Sequence, residues 1–393
     1  MVSSAVTVTV RPEHLRHNLR ALRMRRPLLM PVIKADAYGH GAAAVARVLA
    51  GEGIDHMAVG TVGEGAFLRR QGHDAFLLAL LGLIHDEDAA LAAACRITPL
   101  VHDAESLARC AAQARSVSAA SPLSVAVKFD TGMSRLGFPV EDAPAVAEWL
   151  RGLPEVKPVL VMSHLAASDD PRHDAFTGEQ VSRFGRAAGA LRAVFPTIKT
   201  SLTNSPGLLV WPDCAGDLAR PGLALYGGNP LHGTERAELG AGLLPVMEVT
   251  APVLCVRHVA AGACIGYGCS FRAPRPMRVA VVGAGYADGY PRVLARRAAV
   301  VIRGERAPLV GRVCMQMCMV DVTHIAEVAS GDMAYLLGGV GAQAVRPEEL
   351  AHWWGTVPYE VFCMLGRNRR RLDGGAETWR NSAVFPGALR ESL

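Results

Sequence analysis

The stretch MPVIKADAYGHG, residues 30–41, sets an apolar run against a lysine and then Tyr, Gly, His and Gly within seven residues. An apolar segment that stops at a charged amine and a Gly-flanked turn reads as a buried strand ending at Lys34, with a helix after it. The same unit recurs downstream. HMAVG (56–60) precedes GEGAFLRRQG, RITPLVH precedes DAESLARCAAQA, LSVAVKFD precedes EDAPAVAEWLRG, and KPVLVMSHLA precedes the long segment 174–194. TIKTSLTN and LARPGLALYG close the series. The strands are apolar throughout rather than alternating, as in a parallel sheet covered on both faces. Seven or eight such units predict an α/β fold with an N-terminal (β/α)8 TIM-type barrel over residues 1–240.

From about residue 241 to 393 the rhythm changes to short β runs separated by Gly and Pro, such as VMEVTAPVLCVRHV, MRVAVVGAGY and DMAYLLGG. This predicts a mostly β C-terminal domain, interrupted by one helical segment, PEELAHWWG. Half of the 393 residues are hydrophobic, one fifth are charged, and the net charge is +5. That balance argues against nucleic-acid or membrane partners, and the basic run RNRRR (367–371) reads as solvated surface. No apolar stretch approaches the ~18 residues that span a bilayer, and the start lacks a basic region before an apolar core, so no signal peptide is expected. Nine dispersed cysteines without a C-x-x-C pair suggest reduced thiols in a cytoplasm. VVGAGYADG contains G-x-G, but its third glycine is misplaced and no helix opens after it, so no dinucleotide site is expected.

In a barrel, residues at the carboxyl ends of strands line the active-site mouth. Lys34, Lys128, Arg135, His164, Asn204, Ser205 and Arg220 all fall at such ends, with Gly222 and Leu223 offering backbone N–H groups. Lys34 is expected at a partly buried rim, where a desolvated amine can form a Schiff base. Singly, each has a structural alternative: Lys34 as a surface lysine, His164 as a core histidine, Ser205 as a helix cap. Their joint placement favours chemistry.

The chain resembles the alanine racemases, pyridoxal-phosphate enzymes of fold type III. KADAYGHG carries the resemblance, and DTGMSRLG, NSPG, RPGLALYG, GYG, GYADGYPR, GRVCM and PYEV come in the family's order over about residues 7–366. It implies pyridoxal 5'-phosphate as cofactor, no metal, a small amino acid as substrate, and a homodimer with shared active sites. Lys34 would carry the cofactor, Tyr38, Asn204, Ser205, Gly222, Leu223 and Tyr359 would surround its phosphate, and Arg220 would bond its ring nitrogen. Lys34 and Tyr267, the latter from the other subunit, would be the two bases, with His164 and Arg220 as the relay behind the tyrosine. Arg135 would lie near the cofactor's phenolic oxygen and the substrate carboxylate, the Met315 amide would meet that carboxylate, and Gln316 would lie beside the substrate. Asp169, Arg292 and Arg312 would line the access channel, with Tyr267 and Tyr359 as its inner gate. Lys128 matches a lysine carbamylated in many relatives, and an unmodified lysine with a separate anion is the alternative. Gln316 stands where the family has Asp, which opens the question of strict alanine specificity. Two other readings are a barrel-type amino-acid decarboxylase, which Arg220 argues against, and a single-barrel cofactor carrier, which would lack the β domain.

Overall fold

The computed structural model describes residues 4–116, 122–373 and 378–379. The chain divides into two compact units. One comprises residues 16–37 and 42–243. The other comprises, among the described residues, residues 4–15, Tyr38–Gly41 and those from Leu244 to 379.

The first unit is built on parallel strands in sequential order: His56–Val59, Phe76–Ala79, Ile97–Val101, Leu123–Asp130, Val156–Met162 and Lys199–Ser201. Ile97–Val101 is buried at every position, which explains its unbroken apolar sequence. Residues 29–33 complete the ring. Leu29 bridges Ala219 and Val32 bridges Ala58, both in parallel, so this segment joins the first strand to the residues around 219–221. Helices such as Val62–Arg70, Ala143–Arg151 and Asp174–Val194 alternate with the strands. The result is the TIM-like barrel expected from the strand-helix repeat.

The second unit contains a closed antiparallel β ring. Its order is Met277–Val282, Cys318–Asp321, Glu305–Val310, Ala299–Ile302, Met333–Leu337 and the long strand Met247–Val259, which pairs back with Met277–Val282. Thr7–Val10 pairs antiparallel with the start of the long strand, Val8 opposite Val249, and parallel with Arg369–Leu372. The N-terminal strand thus belongs to the β unit and not to the barrel that comes after it in the chain.

Three further sequence readings are corrected or bounded here. A second α-helix, Pro358–Leu365, comes after Pro347–Trp354, so the helical interruption of the β unit is more than the one segment expected. The basic run is not uniformly solvated: Asn368 and Arg370 are buried while Arg367, Arg369 and Arg371 are exposed. Strand alternation explains this, since successive side chains in Arg369–Leu372 point to opposite faces. The C-terminal tail TWRNSAVFPGALRESL (378–393), to which the sequence assigns no role, lies outside the described residues from residue 380 onward. Among the described residues, no helix is long and apolar enough to cross a membrane.

Candidate active site

Lys34 stands at the end of the 29–33 segment, as the sequence predicts, but its side chain is exposed rather than half-buried. The next residues do not form a right-handed helix. Ala35, Asp36, Ala37 and Tyr38 all have φ between 52 and 55°, a left-handed turn made without glycine. Each such residue costs about 1–2 kcal/mol, so the turn persists only because its surroundings over-determine it. In the barrel unit, the Ala35 N–H donates to Glu64 Oε1 at 2.9 Å, the Ala37 N–H to Ile33 O at 2.9 Å, and the Ala42 N–H to Asp36 Oδ1 at 2.7 Å. In the β unit, Gly39 (φ +80°) leaves no space for a side chain, since a Cβ would lie 2.5 Å from Phe362 O. Arg370, the buried arginine of the basic run, donates to Gly39 O at 3.1 Å.

Arg220 is buried and ties the last strands together. Its guanidinium donates to Ser201 Oγ at 2.5 Å, to Leu202 O at 3.1 Å and to Ser163 O, with His164 Nδ1 at 3.4 Å. Among the described residues no carboxylate pairs with it. Burial lowers its pKa to about 9, so it remains protonated near neutrality. An arginine only donates, so His164 Nδ1 must be the acceptor in that contact, and the ring proton sits on Nε2. Burial, then Arg220, Arg135, Lys128 and Lys34, push the His164 pKa well below its ordinary value, and the ring is neutral. Lys128 shares this environment. It is 5 % exposed, and burial together with Arg135, Arg220 and Lys34 lowers its pKa to about 8, with Asp130 acting in the opposite sense. Asp130 itself spends one oxygen on the N–H groups of Gly132 and Met133, both at 2.8 Å, shaping the loop that carries the exposed Arg135. The barrel unit therefore brings Lys34, Lys128, Arg135, His164 and Arg220 together at one end of its strands.

Asn204 and Ser205 open the short helix Ser205–Val210. The Asn204 side chain is already committed: Oδ1 accepts from Gly207 N and Ser168 Oγ, both at 3.0 Å, and Nδ2 donates to Leu165 O at 3.2 Å. The buried Ser205 Oγ accepts from the N–H groups of Gly222 and Ala224 at 2.9 and 3.1 Å, which leaves its own proton to donate. Ser205, Gly222 and Leu223 thus form one cluster. Asp169 is exposed.

In the β unit, Tyr267 sits on the turn between Cys264–Ile265 and Phe271–Arg272, with Gly266 and Gly268 both at positive φ. Ile265 anchors this hairpin in an apolar cluster with Met277, Val279, Val310 and Met319. The tyrosine ring itself is 68 % exposed. Arg312, Met315, Gln316 and Arg292 are exposed too. The segment 314–315 is held by the 286–287 turn, where the Tyr286 N–H donates to Cys314 O and the Ala287 N–H to Met315 O, at 3.0 and 2.8 Å. Tyr38 and Tyr359 meet with ring centroids 5.7 Å apart, and burial raises the Tyr38 pKa.

Residues 10–230 match the alanine racemase N-terminal domain and residues 246–372 the alanine racemase C-terminal domain. The chain belongs to the alanine racemase family. The alanine racemase of Lawsonia intracellularis is 54% identical over 93% of this chain and 97% of its own length. That of Nitratidesulfovibrio vulgaris (strain Miyazaki F) is 50% identical, again over 93% and 97%. Among solved structures, the biosynthetic alanine racemase of Pseudomonas aeruginosa superposes with a TM-score of 0.82 at 33% identity, covering 95% of this chain and all of that one. The Bartonella henselae alanine racemase with covalently bound pyridoxal phosphate matches with a TM-score of 0.82 at 28% identity, covering 95% and 100%. This chain is thus an enzyme of the racemase class of isomerases.

The barrel lining fits an anionic ligand. Arg220 is a buried cation without an ion pair among the described residues, and Lys34, Lys128 and Arg135 add positive charge around it. Sequence reasoning missed three residues that position the lining. Ser201 Oγ accepts from Arg220 and donates to Leu218 O. The buried Gln180 donates to His164 O at 3.2 Å and accepts from Ala166 N at 2.9 Å. Glu64 holds the Ala35 amide. Only Glu64 has a readable signal, the capping pattern Thr61-x-x-Glu64 in TVGE.

Proposed function

We propose that this protein interconverts the enantiomers of alanine, or of a closely similar small amino acid, with pyridoxal 5'-phosphate bound at the carboxyl end of the barrel. The observation that carries the reading is Arg220: a buried cation that no described carboxylate pairs, facing a neutral His164 within a cluster of further cations. The cofactor, when bound, acidifies the substrate α-proton by accepting the electron pair left on the α-carbon.

This chain's residues do the rest. Lys34 holds the cofactor covalently and exchanges the proton on one face of the α-carbon. Tyr267 of the partner subunit does so on the other, which makes the enzyme a homodimer with shared sites. With its proton on Nε2, His164 donates a hydrogen bond to the tyrosine oxygen and stabilises its deprotonated form. Arg220, which gives up no proton near pH 7, leaves the ring nitrogen unprotonated, weakening the electron sink and discouraging side reactions. Ser205, Gly222 and Leu223 receive the phosphate together with Tyr38 and Tyr359, while Asn204 orders that turn through its cap. Arg135 and the Met315 amide meet the substrate carboxylate, and Gln316 lies beside the substrate. Among the described residues the cysteines form no disulfide, which accords with a reducing, cytoplasmic setting.

Borohydride reduction and subsequent peptide mass spectrometry should place the cofactor label on Lys34, and alanine in D₂O should exchange its α-proton without releasing CO₂. Label on another lysine, or CO₂ release in place of exchange, would refute the reading in favour of a different lysine or of a decarboxylase.

A further inference from the structure

Glu64 takes no part in the proposed chemistry, yet its carboxylate is packed against the backbone beside Lys34. The strand His56–Val59 ends at Gly60, beside the segment that carries the lysine. Thr61 caps the helix Val62–Arg70 by accepting the Glu64 N–H at 3.1 Å, which turns the Glu64 side chain back over the strand ends. Its two oxygens then go to different segments. Oε1 accepts the Ala35 N–H at 2.9 Å and Oε2 accepts the Gly60 N–H at 2.6 Å.

In an ordinary capping box the acid serves its own helix. Glu64 does this too, bonding the backbone of its own N-cap Thr61, and it also reaches beyond the helix to the residue directly after Lys34 and to the neighbouring strand end. Ala35 is the first of the four left-handed residues, so the carboxylate holds the strained turn at its origin. Gly60 lies close by: a Cβ there would stand 3.1 Å from Glu64 Oε2, a tight approach, and 3.5 Å from Lys34 Cβ, an ordinary contact. The glycine allows lysine, carboxylate and strand end to share one small space. Neither neighbouring amide can be satisfied by an apolar side chain at position 64, because both are donors.

We infer that Glu64 is a positioning residue for Lys34, fixing the direction in which its side chain leaves the strand end and therefore how squarely its amine meets one face of the α-carbon. This rests on the two-base reading above, and it predicts an effect confined to one face. A residue that merely stabilised the barrel would affect both faces alike.

The test uses the holoenzyme with Glu64→Gln and Glu64→Ala. The Gln side chain keeps one acceptor and turns a donor toward the other amide, so one tie is lost, and Ala loses both. α-Proton exchange in D₂O is followed separately for the two alanine enantiomers. Each rate is divided by the fraction of subunits labelled at Lys34 by borohydride. Misplacing a reacting group by about 1 Å costs on the order of 100-fold. Exchange from the enantiomer that presents its proton to Lys34 should fall about 100-fold in Glu64→Ala and about 10-fold in Glu64→Gln, and the ratio of the two enantiomers should move by at least about fivefold. Equal slowing of both enantiomers, or rates within about twofold of wild type, overturns the inference. If Glu64→Ala does not fold, the isosteric Gln variant carries the same ratio test. Wild-type enzyme without label on Lys34 would instead refute the function itself, and the inference with it.

Discussion

Replacing Lys128 by Met tests the electrostatics of the site directly. Lys128 lies buried near Arg135, Arg220 and Lys34, and its pKa falls from 10.5 to about 8. At about 1.4 kcal/mol per pH unit, this depression costs the folded chain about 3 kcal/mol whenever the lysine is protonated. The folded state binds the proton less tightly than the unfolded state. The penalty is therefore full below pH 8 and fades as the pH rises toward the unfolded pKa near 10.5, so stability rises with pH across that window. Methionine has a similar length and no charge. The variant should be more stable than wild type at pH 7 by up to about 3 kcal/mol, or roughly 6–12 °C in Tm for a unit of this size, with the difference vanishing near pH 10.5. The same pKa supplies a second arm. About a quarter of Lys128 side chains are neutral at pH 7.5, against on the order of one in a thousand for an ordinary lysine. A neutral amine adds CO₂ to give a carbamate and a proton, which places a negative charge beside Arg135 in exchange for a positive one. Added bicarbonate should then raise the Tm of wild type and leave Lys128→Met unchanged. Both arms are read by calorimetry in matched cofactor states. A variant less stable than wild type at pH 7, or an advantage that stays constant from pH 7 to 10, would refute the reasoning.

Mixing inactive Lys34→Ala and Tyr267→Ala chains, with subunit exchange confirmed by mass spectrometry, should restore roughly a quarter of wild-type activity, because about half the dimers are mixed and each mixed dimer has one intact site; no recovery would exclude a shared site. Gln316→Asp should change the alanine-to-serine ratio of kcat/KM by up to about 10–200-fold, the range of small pocket differences, and an unchanged ratio would remove Gln316 as a specificity determinant. Gly39→Ala should destabilise the chain by about 3 kcal/mol, because the left-handed φ is joined by a Cβ only 2.5 Å from Phe362 O. A urea midpoint corresponding to less than about 1 kcal/mol would show that the turn relaxes freely.

The sequence by itself determined the repeating strands, the change to β structure after the barrel, and the strand-end positions of Lys34, Lys128, His164, Ser205 and Arg220. These features are local: an apolar run, its length and its polar stop lie within ten residues of one another. Tertiary structure decided what depends on partners far along the chain. Thr7–Val10 joins the β unit because its ladders run to residues 247–250 and 369–372, and nothing near residue 10 specifies them. The burial of Arg370 comes from that same pairing. The turn after Lys34 shows the limit most clearly. Ala35 and Ala37 are good right-handed helix formers by propensity, and the sequence accordingly reads as a helix start. The left-handed turn exists because Glu64 holds Ala35, Asp36 holds Ala42, and Gly39 fits closely against the Phe362 carbonyl. Hydrogen bonds across 29 residues and a backbone contact across more than 300 outweigh a local preference of about 1–2 kcal/mol per residue.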